Sequence, residues 1–134
     1  MSDQRKILII DDDPDVVSAV TALLEAENFA VIAAQTGMEG LERVRLDKPD
    51  LILLDLMIES HDTGFNIAKD LKGDPATRDI PIIMVSAVKQ KTGYGFEQTR
   101  DGHWMKTNAF LEKPYVPKKV IATINELLNS VAVK

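Results

Sequence analysis

The sequence predicts an α/β fold in which helices cover both faces of a five-stranded parallel sheet. Three observations carry that expectation. The run Leu51-Ile52-Leu53-Leu54 is continuously aliphatic and follows Asp50, as befits a strand buried on both faces. A second aliphatic run, Ile7-Leu8-Ile9-Ile10, also stops at acids, Asp11-Asp12-Asp13, as the first stops at Asp55. Strand-like and helix-like spacings then alternate along the whole chain.

Residues 6–10 read as the first strand. Pro14 suits the first position of a helix, with Asp13 as its N-cap. Val16, Val17, Val20, Leu23 and Leu24 recur at helical spacing, so this helix spans 14–27 and ends at Asn28. Phe29 to Ala34 is the second strand. Thr36-Gly37-Met38-Glu39 matches a capping box and opens a helix that runs to about Asp47, with Leu41 and Val44 facing in. Lys48-Pro49-Asp50 turns the chain into the central strand, 51–54. A polar loop through Glu59, His61 and Gly64 follows, then a helix over about 64–72, broken by Lys72-Gly73-Asp74-Pro75. Residues 81–85 form the fourth strand, ending at Ser86-Ala87. Residues 88–108 carry little periodicity, so the fourth-helix region is expected to be short or irregular. Ala109-Phe110-Leu111 is the fifth strand, closed by Glu112-Lys113-Pro114. Val120, Ile124, Leu127, Leu128 and Val131 form the buried stripe of a last helix, about 117–131. At this length the pattern fits a flavodoxin-like doubly wound sheet, strand order 2-1-3-4-5.

The 134 residues are read as a single domain, 1–134. The formal net charge of −5 disfavours direct contact with nucleic-acid phosphates. The absence of cysteine excludes disulfides, thiolate nucleophiles and thiolate-bound metals. The first aliphatic run is too short for a signal peptide core or a membrane span, so a cytoplasmic protein with no membrane insertion is expected.

In the order 2-1-3-4-5 the first and third strands are neighbours, and ligands bind outside the carboxyl ends of the strands where the order reverses. Asp11, Asp12 and Asp55 then converge at that edge, with Ser86 and Lys113 at the ends of the strands beside them. Three close carboxylates call for a cation. Hard oxygen ligands suit Mg²⁺, and a nearby lysine and hydroxyl suit a phosphoryl group. The expected chemistry is attack of an aspartate on phosphorus, giving an aspartyl phosphate.

Acids after the first strand, Asp55 after the third, Ser86-Ala87 after the fourth and Lys113-Pro114 after the fifth together resemble the receiver domain of two-component response regulators. The likeness covers roughly residues 5–130 and extends to the stand-alone receivers of chemotaxis. It implies Asp55 as phosphoacceptor and Asp12 as a direct Mg²⁺ ligand. Asp11 would bind through water or complete the acidic pair, and the Met57 backbone carbonyl would be a further ligand. It also implies Ser86 as switch hydroxyl, Lys113 as phosphate contact, Phe110 as aromatic switch and a cis Lys113-Pro114 bond. Two departures stand out. Glu59 replaces the proline usual four residues after the phosphoacceptor, and Asp62-Thr63-Gly64 carries an extra residue. The span from Ser86 to Lys113 is longer than usual.

The resemblance implies a signalling module and not an enzyme. A histidine kinase is its phosphodonor, and a downstream protein or phosphotransfer partner receives the signal, with room for a homodimer. Two alternatives remain. One is a degenerate receiver that binds without phosphorylation. The other is a small phosphatase using an aspartyl nucleophile in Asp11-x-Asp13.

Overall fold

The structure, a computed structural model, describes residues 4–55, 58, 63–86, 109–112 and 115–133. Five strands are present among them: β1 (Lys6–Ile10), β2 (Ala30–Ala34), β3 (Leu51–Asp55), β4 (Ile82–Ser86) and β5 (Ala109–Glu112). The helices are α1 (Pro14–Ala26), α2 (Gly37–Asp47), α3 (Thr63–Gly73) and α4 (Pro117–Val133). The sheet is parallel throughout in the order β2-β1-β3-β4-β5, as the sequence predicted.

Alternation along the strands divides the apolar interior into two layers. Ile7, Ile9, Leu51, Leu53, Ile83, Val85 and Leu111 point to one face, where α1 and α4 cover them with Val20, Leu24, Val120, Ile124 and Leu128. Leu8, Ile10, Ile52, Leu54, Ile82 and Met84 point to the other, beneath Val44 of α2 and Ile67, Ala68 and Leu71 of α3. Burial on both faces explains why β1 and β3 read as unbroken aliphatic runs. Gly40 lets α2 lie close on β1. A Cβ there would stand 2.6 Å from Ile10 Cδ1.

The helix ends follow local chemistry. Asp13 caps α1, its carboxylate accepting from the Asp15 N–H at 3.0 Å, with Pro14 next in line. At the other end Asn28 adopts the left-handed region at φ 71°. The Phe29 N–H donates to the Leu24 carbonyl and the Asn28 N–H to that of Glu25, a Schellman motif. Those bonds use Phe29 in the turn, so β2 starts at Ala30 and not at Phe29. Thr36 Oγ1 accepts from the Glu39 N–H at 3.0 Å. The returning Glu39 carboxylate goes one residue further out than a standard box, to the Gln35 N–H.

The connection from α3 to β4 is held by side chains. Lys72 Nζ donates to the carbonyls of Arg78 and Ile80, both at 3.0 Å. The buried Thr77 hydroxyl donates to the Leu71 carbonyl at 2.6 Å. No helix among the described residues is long and apolar enough to cross a membrane.

Candidate acidic site at the strand switch point

Strand order reverses between β1 and β3, and the acids stand there. The register Ile10↔Leu54 puts Asp11 and Asp55 side by side one step further on. The Asp11 N–H donates to the Ala34 carbonyl at 3.0 Å, carrying the β1–β2 pairing one residue past β1. Asp11 Oδ1 accepts from the Asp13 N–H at 2.9 Å, an Asx turn that fixes the carboxylate before α1 begins. Asp55 ends β3 within the sheet, paired with Val85 of β4, one residue later than the sequence reading placed the end of this strand. The Ile58 N–H returns to the Asp55 carbonyl at 3.3 Å, and Ile58 is fully buried.

Asp11, Asp12 and Asp55 each offer a carboxylate oxygen within 4.8 Å of the others. Asp11 and Asp55 are buried and Asp12 is exposed, so the group opens to solvent on one side. Asp13 stands apart from this group, its carboxylate committed to capping α1. That removes the second acid from the Asp11-x-Asp13 phosphatase motif.

The other sequence candidates fall as follows. Ser86 is the last residue of β4, opposite Glu112 in the register, at the same carboxyl edge. Phe110 pairs with Met84 and is half-buried against the α2/α3 layer. Met57, Glu59, Lys113, Pro114 and the 88–108 segment lie outside the described residues.

One residue near the site was missed in the sequence. Tyr115 is half-buried and packs against the α1/α4 layer. Burial pushes its phenol above the usual tyrosine range, and the charges of Asp11 and then Asp55 push the same way. The available signal was an aromatic side chain just after the Lys113-Pro114 step at the strand edge.

The donor set suits a hard divalent cation, because three carboxylate oxygens from two adjacent strand ends converge and face water on one side.

The chain matches the family model of the response regulator receiver domain over residues 7–125. Protein PilH of Pseudomonas aeruginosa is 32% identical over 126 residues, which cover 92% of this chain and 97% of PilH. The transcriptional regulator RpaA of Synechocystis is 35% identical over 125 residues, 92% of this chain but only 48% of RpaA. The N-terminal domain of a response regulator receiver protein from Methanoculleus marisnigri superposes with a TM-score of 0.70 at 33% identity, over 90% of this chain and 94% of that one. A family model spanning most of the chain, and a relative 32% identical over 92% of this chain and 97% of its own length, lead to one conclusion: the chain belongs to the response regulator receiver family, the phosphoacceptor signalling modules of two-component systems.

Proposed function

We propose that Asp55 is the phosphoacceptor and that it takes its phosphoryl group from a phosphohistidine of a histidine kinase. The observation that carries this reading is the convergence of Asp11, Asp12 and Asp55 within 4.8 Å at the switch point. In the step, an Asp55 carboxylate oxygen forms a bond to phosphorus while the phosphorus–nitrogen bond to the kinase imidazole breaks. The imidazole nitrogen keeps the electron pair and takes a proton from solvent. Asp55 suits the nucleophile's place because it ends a strand buried on both faces, so its backbone is held rigid by β1 and β4.

Asp12 and Asp55 would hold Mg²⁺ directly, Asp11 through water, with the Met57 carbonyl as a further ligand. When bound, the ion supplies positive charge against the phosphoryl oxygens that no acid here can supply. Lys113 takes the role of phosphate contact by its place in the sequence just after β5, and Ser86 that of switch hydroxyl as the last residue of β4. Phe110 is the aromatic partner of that switch, on the α2/α3 side. Residues 1–134 act as one receiver domain, in the cytoplasm. Output is by contact with a downstream protein or phosphotransfer partner, or with a second copy.

Incubation with acetyl phosphate and Mg²⁺, followed by intact-mass measurement, tests this. The parent gains one phosphoryl group; Asp55→Asn gains none, and Asp11→Asn still gains it, more slowly. Labelling that survives in Asp55→Asn and disappears in Asp11→Asn would turn the assignment to an Asp11 nucleophile.

A further inference from the structure

Lys72 stands in the last turn of α3, and its side chain reaches the chain ahead of it. Nζ donates to the carbonyls of Arg78 and Ile80, each at 3.0 Å, and so ties the end of the helix to the residues just before β4. The rest of the connection closes on itself. Thr77 Oγ1 donates to the Leu71 carbonyl at 2.6 Å, the N–H groups of Thr77 and Arg78 donate to the Asp74 carbonyl, and that of Ile80 donates to the Thr77 carbonyl. The Pro81 carbonyl then accepts from the Ile52 N–H at 3.0 Å, so the lysine clasp sits immediately ahead of the β3–β4 pairing. An ammonium has three donors, whereas a neutral amine has two and a lone pair. Two carbonyls match the neutral form, donor for acceptor, and the nitrogen keeps the pair that makes it a nucleophile. Burial works in the same direction and lowers the amine to about 8, against the opposing charge of Asp79. The side chain is half-buried, so the amine is shielded without being sealed off.

We propose that Lys72 is an acyl-acceptor site, modified on Nζ by a small acyl phosphate, and that its acylation loosens the α3–β4 connection. A half-buried amine admits only a small donor, and without a dedicated catalyst that donor must carry its own leaving group. Acyl phosphates meet both conditions. In the step, the Nζ lone pair forms a bond to the acyl carbonyl carbon while the bond from that carbon to the phosphate oxygen breaks. The oxygen keeps the electron pair and leaves with inorganic phosphate, and the nitrogen releases one proton to solvent. The product is a neutral amide with a single N–H. One of the Arg78 and Ile80 carbonyls then loses its donor, and the acyl group adds bulk where the helix end meets the connection. The site lies at the amino edge of the parallel sheet, across the molecule from the acids, at the entry to the strand that ends in Ser86. It is therefore independent of the reading of Asp11, Asp12 and Asp55.

The test treats the parent with acetyl phosphate in the absence of Mg²⁺, which holds back phosphoryl transfer, and follows each lysine over time by peptide mass spectrometry. Exposed Lys69, three residues earlier on α3, is the internal reference. The larger neutral fraction favours Lys72 and its half-burial cancels part of that advantage, so acetylation roughly tenfold faster than at Lys69 is expected. Hydrogen exchange then reads the connection. In protein acetylated at Lys72 the amides of Thr77, Arg78 and Ile80 should exchange roughly fivefold faster, the scale of one neutral hydrogen bond, while those of β1 and β3 keep their rates. Lys72→Arg, which cannot form the amide, should be acetylated at Lys69 at the parent's rate and show no faster exchange after the same treatment. Acetylation of Lys72 no faster than that of Lys69 overturns the proposal. So does unchanged exchange in protein acetylated at Lys72, or loosening of equal size in treated Lys72→Arg, which would place its cause at another lysine.

Discussion

Asp55→Asn is expected to make the metal-free protein more stable while abolishing phosphorylation. The side chain is 6% exposed and nearly isosteric with the amide, so the substitution changes charge with little change in packing. Two repulsions disappear, with Asp11 and with Asp12, each across at most 4.8 Å between the oxygens concerned. At that separation Coulomb's law gives about 3.5 kcal/mol per pair at an effective dielectric of 20 and about 0.9 kcal/mol in bulk water. The pair with buried Asp11 lies toward the first value, and the pair with exposed Asp12 toward the second. The amide also changes the other interactions Asp55 takes part in, so a net gain smaller than the summed repulsion, about 1–3 kcal/mol, is expected. Urea unfolding followed by circular dichroism reads this as a midpoint rise of roughly 1 M, given slopes of about 1–3 kcal/mol/M. Saturating Mg²⁺ should close the gap, because the parent gains about 2.7 kcal/mol at a hundredfold excess over its dissociation constant. The reasoning fails if Asp55→Asn is less stable than the parent both with and without Mg²⁺. That result would mean a buried ion pair at Asp55 outweighs the repulsion, since breaking one costs about 3–5 kcal/mol.

Three further outcomes are expected. Gly40→Ala should destabilise the protein by about 1 kcal/mol, because crowding against Ile10, whose Cγ1 and Cδ1 would lie at 3.0 and 2.6 Å, outweighs alanine's better helix propensity; the loss should shrink in an Ile10→Val background, measured by urea midpoints. Burial holds the Lys72 amine at a pKa of about 8 against an ordinary 10.5, with Asp79 opposing the shift. The unfolded chain therefore binds the Lys72 proton more strongly, and the contribution of this group to stability is fully present above about pH 10.5 and lost as pH falls through about 8. The parent's urea midpoint should accordingly rise relative to that of Lys72→Met between pH 7 and 10, and a flat difference would contradict it. Slow loss of the phosphoryl group is expected from the apolar Met57 and Val88, two residues after Asp55 and Ser86, which offer no hydrogen bond to an attacking water; Met57→Asn with Val88→Glu should shorten the lifetime, read as the decay of phosphorylated protein by intact mass.

The fold was legible because its signals are strong and local. Aliphatic runs buried on both faces, an aspartate before Pro14 and a Thr-x-x-Glu box each specify one element with little competition. The acids were legible for a topological reason: once β1 and β3 are neighbours, residues that follow them must meet. Element ends shifted where hydrogen bonding decided them, as when Phe29 joined the α1 terminus and Asp55 stayed in register with Val85. Tyr115 and Lys72 were not legible. Periodicity says which face of a helix is buried, but both residues lie at or beyond the ends of elements, and what they do depends on which strand end or carbonyl the fold brings near them.

The most direct test of the central claim is to locate the phosphoryl group. Parent protein treated with acetyl phosphate and Mg²⁺ is reduced with borohydride, which converts an acyl phosphate to an alcohol and marks its position, then digested and sequenced by tandem mass spectrometry. The mark is predicted at Asp55, in the peptide that contains Leu51–Asp55. A mark at Asp11, Asp12 or a histidine, with Asp55 recovered unmodified, would contradict the account.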